Sequence, residues 1–295
     1  FEVLDFQKEY KERVIDRFYA DYQRGLTPNP DVWCNSEIKF GMFLHWAIEN
    51  GFDHIVTGHY AKLKKEGGKI KLLQPKDKHK DQTYFLYQLE QEELKRVIFP
   101  LGDLTKNEVR EIARKARLPV ADKKDSVGIC FIGDIDVQKF LRRRLLEREG
   151  GVMDTEGNKV GTHQGVWFFT IGQRGGWEID PKYQKKFGGG APIMYVVEKE
   201  AKKNQLIVGF GAGTYKDQFQ VGDLKLINDK FLTDLISKQN VLVRIRHGGA
   251  LIVAKIKMKN SRLVVELGEA QRGVAPGQVA VFYMNGECLG GGVIS

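Results

Sequence analysis

The sequence predicts an α/β domain over residues 1–149, a small central β-rich domain over 150–213 and a C-terminal antiparallel β-barrel over 214–295. Three observations carry this. Apolar residues recur at helical spacing through the first part of the chain and are broken by short apolar runs, the α/β signature. Glycine is uneven, with nine of the 33 in residues 1–149 and the other 24 beyond them. Toward the C-terminus apolar and polar residues alternate between turn signals, as strands of a small barrel do.

The elements follow in order. Phe6, Tyr10, Val14 and Phe18 lie four apart and mark one face of a first helix, and Phe40, Phe43, Leu44, Ala47 and Ile48 mark a second that stops at Gly51. His54-Ile55-Val56-Thr57-Gly58-His59 reads as a short strand ending in a Gly turn. Thr105-Lys106-Asn107-Glu108 is a capping box that opens a helix running to about Arg117. The change falls at Gly150-Gly151, after which residues 151–213 form a Gly-rich β segment around His163-Gln164-Gly165 and Thr170-Ile171-Gly172-Gln173-Arg174. Val241 to Arg246 and Leu251 to Ile256 alternate across Gly248-Gly249 and predict a hairpin; Leu263 to Leu267 and Val279 to Met284 predict further strands, with Asn285-Gly286 as a primed two-residue turn.

Composition narrows the function. Of 295 residues 42% are hydrophobic and 29% charged, enough apolar material for a packed core. No window approaches the roughly 18 uninterrupted apolar residues of a spanning helix, and Phe1 to Tyr10 is too charged for a signal-peptide core, so neither membrane nor secretion is expected. Three cysteines are no disulfide framework, which points to a reducing compartment and a cytoplasmic setting. The net charge of +9 is clustered: Lys62, Lys64, Lys65, Lys69, Lys71, Lys76, Lys78 and Lys80 in one stretch, then Arg142-Arg143-Arg144, then Lys182, Lys185 and Lys186. A polyanion is the natural partner, since every phosphate neutralised releases counterions, although such runs also serve as plain solvated faces.

Two cysteines sit in informative settings. Cys34 follows the proline-stiffened turn Thr27-Pro28-Asn29-Pro30-Asp31 at the start of the second helix, where the helix dipole is expected to favour thiolate. Asp31 is placed to move a proton or hold a substrate hydroxyl or amide. Cys130 lies in Gly128-Ile129-Cys130-Phe131-Ile132-Gly133 after Lys123-Lys124, whose charge is again expected to favour thiolate. Cys288, on a predicted strand, reads as packing. Spacing alone leaves open whether Cys34 and Cys130 meet.

At these residues the sequence resembles the tRNA-specific 2-thiouridylases. The segments that carry the resemblance are Thr27-Pro28-Asn29-Pro30-Asp31 with Cys34, Val56-Thr57-Gly58-His59-Tyr60, Lys80-Asp81-Gln82-Thr83-Tyr84-Phe85-Leu86, Asp125-Ser126-Val127-Gly128-Ile129-Cys130-Phe131-Ile132-Gly133, His163-Gln164-Gly165 with Thr170-Ile171-Gly172-Gln173-Arg174, and Ala275-Pro276-Gly277-Gln278. Six motifs in order, spread over nearly the whole chain, make the signal specific. The resemblance implies an ATP-pyrophosphatase-type nucleotide-binding domain, a central domain and a β-barrel that together grip tRNA. It implies transfer of persulfide sulfur to carbon 2 of the wobble uridine after ATP adenylates the base. By motif position Cys130 would carry the persulfide, Cys34 would close a disulfide with it, and Asp31 would be the acid/base group. Asn29, Pro30 and Asp31 would contact the target base and Gly58 the ATP. His59, Lys80, Asp81, Gln82, Arg246, His247 and Gln278 would contact tRNA. The implied cofactor is ATP with magnesium, with no metal site of the protein's own, and the partners are tRNA and a persulfide-carrying relay protein acting on a monomer.

One departure stands out. The family opens with a strand and a Ser-Gly-Gly-Val-Asp-Ser phosphate loop, and none occurs near Phe1. Gly188-Gly189-Gly190 and Gly290-Gly291-Gly292 do not replace it, because neither follows a nucleotide-fold strand and opens a helix. The expectation is an N-terminally truncated chain without thiolation activity as it stands. The alternatives are a tRNA-binding protein or fragment without ATP chemistry, and another ATP-pyrophosphatase ligase, against which the two cysteine motifs speak.

Overall fold

The computed structural model describes residues 1–123, 128–186, 190, 193–228, 230–238, 241–260 and 262–295. A first helix spans residues 7–23 and buries Val14, Phe18, Tyr19 and Tyr22. A second spans residues 30–49, with Pro30 in its first turn, where the missing N–H costs nothing, and i→i+5 winding over Cys34–Phe43. It ends before Gly51, whose φ of +84° lets the chain turn away. Behind these helices β1 (Ile55–Val56) pairs in parallel with β4 (Val97–Ile98), so the strand expected over 54–59 is paired at only two residues. Between them β2 (Lys62–Glu66) and β3 (Lys69–Leu73) form a hairpin. The helix Lys106–Lys115 follows, capped by Thr105 and Glu108 as the sequence predicts.

The central unit is a five-stranded sheet of β5 (Gly150–Asp154), β6 (Lys159–His163), β7 (Glu178–Ile179), β8 (Tyr195–Glu200) and β9 (Gln205–Gly209), in the order β7-β6-β5-β9-β8 with β5 and β9 parallel. The last unit is a closed six-stranded antiparallel barrel: β10 (Tyr215–Leu226), β11 (Val241–Arg244), β12 (Ile252–Lys259), β13 (Arg262–Arg272), β14 (Val279–Met284) and β15 (Glu287–Ile294). Pairing of β10 with β15 closes it. Asn285 and Gly286 both have positive φ, the primed turn read from the sequence. Gly290, Gly291 and Gly292 lie inside β15, whereas Gly188 and Gly189 fall outside the described residues.

The first domain is stitched to the barrel through its own strand. Leu72 of β3 pairs with Cys288 of β15, both fully buried, so the lysine-rich hairpin extends the barrel sheet rather than standing free in solvent. Full burial of a leucine is worth about 2 kcal/mol, and it fixes which face of the hairpin turns outward. The run at Arg142–Arg144 is also partly absorbed: the guanidinium carbons lie 4.7 Å from the Phe168 ring centre, 5.5 Å from Phe140 and 4.6 Å from Tyr19. Among the described residues no helix is long and apolar enough to cross a membrane.

Candidate active site

Pro30 starts the second helix and Asp31 falls in its first turn, so Asp31 and Cys34, three residues apart, share one side. Against that side folds the loop carrying Cys130. Asp31 Oδ1 accepts from the Cys130 N–H at 2.9 Å, and Tyr10 of the first helix donates its hydroxyl to the Cys130 carbonyl. The Cys130 backbone is thus held at both its polar groups. The Cys34 thiol donates to the Cys130 sulfur. Sequence leaves the meeting of the two cysteines open; the fold brings the two side chains, about a hundred positions apart, close enough to act on each other's ionisation.

The electrostatics of the pair differ from what local sequence suggests. The sequence favours thiolate at both cysteines, at Cys34 because of the helix dipole. Instead Cys34 is fully buried, and its hydrogen bond to Cys130 together with that burial pushes its thiol well up. It lies beyond the first turn, where the dipole is spent. Cys130 is partly exposed and lowered to about 6, chiefly by the S–H it accepts from Cys34 and then by Lys39. Among the described residues the cation that acts on Cys130 is Lys39 of the second helix; Lys123 is exposed, and Lys124 with the motif residues Asp125, Ser126 and Val127 lies outside the described residues. Burial raises the Asp31 carboxyl, against the Cys130 N–H and Lys39, which lower it.

The other expected residues divide into those that line the approach and those that face inward. The Asn29 side chain hydrogen-bonds Tyr84, whose hydroxyl also donates to the Val279 carbonyl at 3.0 Å and to Gln278 Oε1 at 3.5 Å. Gln278 Nε2 donates to the Thr27 carbonyl at 3.1 Å, and the Thr27 N–H donates to the Pro276 carbonyl at 2.8 Å. The barrel thus grips the strap leading into Asn29-Pro30-Asp31. Arg246 and His247 are exposed beyond it, with the His247 ring 4.3 Å from that of Phe85. Gly58 is exposed just past β1. Gln82 holds the Tyr60 N–H at 2.8 Å, and Lys80 is half-buried beside it.

Two expectations meet a different environment. His59 is buried between Phe40 and Phe99, its Nδ1 2.9 Å from Thr57 Oγ1, and burial lowers it to about 3, so it is a neutral core histidine. Asp81 is 3% exposed. Its carboxylate accepts from Arg244 at 2.8 Å, Gln74 at 2.6 Å, and the Thr83 N–H and hydroxyl at 3.0 and 2.6 Å. Both side chains are buried and make their contacts inside the protein. Their motif marks a tightly built turn, which sequence alone does not separate from a contact surface.

Three residues at the site escaped the sequence reading of function. Tyr10 and Lys39 have been described; Phe131 is 71% exposed beside Cys130 with φ +65°, a left-handed conformation unusual for a bulky residue. Tyr10 carried only a helical-spacing signal, and Lys39, five positions after Cys34, none that set it apart from other surface lysines.

A nucleotide-fold unit whose second helix pairs two thiols, followed by two β units that brace it, defines a HUP-domain protein with appended barrels. Family models agree along nearly the whole chain: a tRNA methyl transferase HUP domain matches residues 1–134, a tRNA methyl transferase PRC-barrel domain 138–210, and an aminomethyltransferase beta-barrel domain 216–294. The tRNA-specific 2-thiouridylase MnmA of Streptococcus sanguinis is 43% identical over 298 residues, covering 99% of this chain and 77% of its own length. The proteins of the same name from Streptococcus thermophilus and Streptococcus mutans are also 43% identical, with the same coverage. The chain belongs to the tRNA-specific 2-thiouridylase family.

Proposed function

We propose that this chain transfers persulfide sulfur to carbon 2 of the wobble uridine of tRNA. The observation that carries the reading is the contact between Cys34 and Cys130, with Asp31 holding the Cys130 backbone. Membership of a family of tRNA sulfurtransferases supports the tRNA substrate and the use of ATP.

The Cys130 thiolate attacks the outer sulfur of a relay protein's persulfide; the donor S–S bond breaks, a new one forms on Cys130, and the donor leaves as a thiol. ATP with magnesium, when bound, would supply the activation of the base: AMP would pass to the oxygen on carbon 2 and pyrophosphate would leave. The outer sulfur on Cys130 then bonds carbon 2 and AMP departs. Cys34 next gives its proton to Asp31 and attacks the inner sulfur, closing a Cys34–Cys130 disulfide and leaving sulfur on the base. An external dithiol must reduce that disulfide before another cycle. Protonated, Cys34 is held in reserve until the final step; ionised, Cys130 is ready for the first.

Gly58, at the C-terminal end of a parallel strand, stands where doubly wound folds bind ligands. A Cβ there would meet only Leu101 Cδ1, at 3.9 Å, so the edge is open and fits contact with the nucleotide. Asn29 and Pro30 border the base site. Arg246, His247, Lys80 and Gln278 lie on the tRNA side, Gln278 in part by positioning Thr27.

Exchange of single thiols tests this. In the intact enzyme Cys130→Ser should neither load persulfide nor thiolate tRNA, while Cys34→Ser should load but fail to transfer. Mass spectrometry after one turnover should find the Cys34–Cys130 disulfide. Equal loss of both steps in both variants would reduce the pair to a structural contact.

A further inference from the structure

The sulfur site contains a cation to which the reading above gives no role. Lys39 stands on the second helix with its ammonium 3.2 Å from Asn35 Oδ1 and 5.7 Å from the centre of the ring of Phe131, the neighbour of Cys130, close enough that its charge favours the Cys130 thiolate. Its tether is rigid, because Asn35 is 3% exposed and donates its amide to the Asp31 carbonyl at 2.9 Å. Among the described residues, the other titratable groups near Cys130 and Lys39 are the Asp31 carboxylate, the Cys34 thiol, the Tyr10 hydroxyl and, behind the helix, neutral His59. Lys39 is the cation among them.

We infer that Lys39 is a catalytic residue: its ammonium holds the anionic sulfur of Cys130, first as thiolate and then as the outer sulfur of the persulfide. Asp31 is needed to fix the Cys130 backbone, yet its carboxylate charge opposes a thiolate next to it, and Cys34 offers one S–H that is withdrawn when Cys34 reacts. A fixed positive charge resolves that conflict. It balances Asp31, outlasts the Cys34 hydrogen bond, and is shielded on one side by the Phe131 ring, whose face attracts cations. When the donor persulfide gives up its outer sulfur, negative charge moves one atom outward from Cys130, and a long lysine side chain can follow it. The donor sulfur leaves with the proton, so the charge on the protein side is unchanged and one ammonium serves both states.

The assignment rests on Cys130 as sulfur carrier, and the experiment separates the two ideas. Alkylation of Cys130 by iodoacetamide, followed across pH by peptide mass spectrometry, reads its thiolate without any sulfur transfer. Parent enzyme should show a midpoint near 6. Lys39→Gln, which keeps a donor for Asn35 but no charge, should move it up by roughly one to two pH units, slowing alkylation at pH 7 by about two- to tenfold. Lys39→Met should do the same and Lys39→Arg should restore most of the shift, with loading of persulfide following the same order. Unchanged alkylation profiles in folded Lys39→Gln and Lys39→Met, with Cys130→Ser still dead, would overturn the Lys39 assignment alone. Persulfide loading by Cys130→Ser would overturn the carrier reading and this inference with it.

Discussion

Replacement of Asp81 by asparagine tests whether a motif residue acts on RNA or on the fold. Its carboxylate takes four hydrogen bonds inside the protein, one from Arg244 in an ion pair whose side chains are 1% and 8% exposed. Arg244 belongs to β11 of the barrel and Asp81 to the turn before Tyr84, so the bond joins two domains. Asp81→Asn leaves the guanidinium charge buried, with its Nε already lacking a partner and the Tyr283 ring 5.3 Å away as remaining compensation. Breaking one side of a buried pair costs about 3–5 kcal/mol, which for a chain of this size lowers the melting temperature by on the order of 10 °C. Asp81→Asn/Arg244→Met, which removes both charges, should recover part of that loss. Differential scanning calorimetry measures the melts, and filter binding at fixed salt measures tRNA affinity of the folded variant, expected to be nearly that of the parent. A melt within about 2 °C of the parent, together with tenfold weaker tRNA binding, would refute the buried-pair reasoning and return Asp81 to the RNA surface.

Two further outcomes follow from the same geometry. His59 binds a proton near pH 6.5 when unfolded and near 3 when folded, so the unfolded state holds more protons between those values and stability falls as pH drops through them, by up to about 1.4 kcal/mol per pH unit; His59→Gln should flatten that part of a urea-midpoint profile, and an unchanged slope would mean that His59 is charged in the native state. Gly277 has φ +91°, and a Cβ there would come within 2.8 Å of Leu26 Cβ and the Thr27 nitrogen; Gly277→Ala should therefore cost roughly 1–3 kcal/mol and loosen the strap before Asn29, read as a lower melt and faster hydrogen exchange at Thr27.

What the sequence determined by itself was local. Thr105 and Glu108 cap a helix because both partners of the box lie within one turn, and Asn285-Gly286 makes its hairpin because those two residues tolerate positive φ. Spacing marked both early helices and the barrel strands, and the motifs around Cys34 and Cys130 led to the family. Tertiary structure alone decided which charges matter to which thiol. Both cysteines read as favouring thiolate from their neighbours in the chain, but the Cys130 hydrogen bond and burial raise Cys34, while Lys39, from a helix far away in sequence, favours the thiolate of Cys130. His59 and Asp81 carry the same motif signal as residues that meet a ligand, and only packing by Phe40 and Phe99, or pairing with Arg244, turns them inward. The reason is physical: caps and turns are set by residues a few positions apart, whereas burial and Coulomb energies depend on distances that the chain fixes only after its three units close around the Thr27 strap.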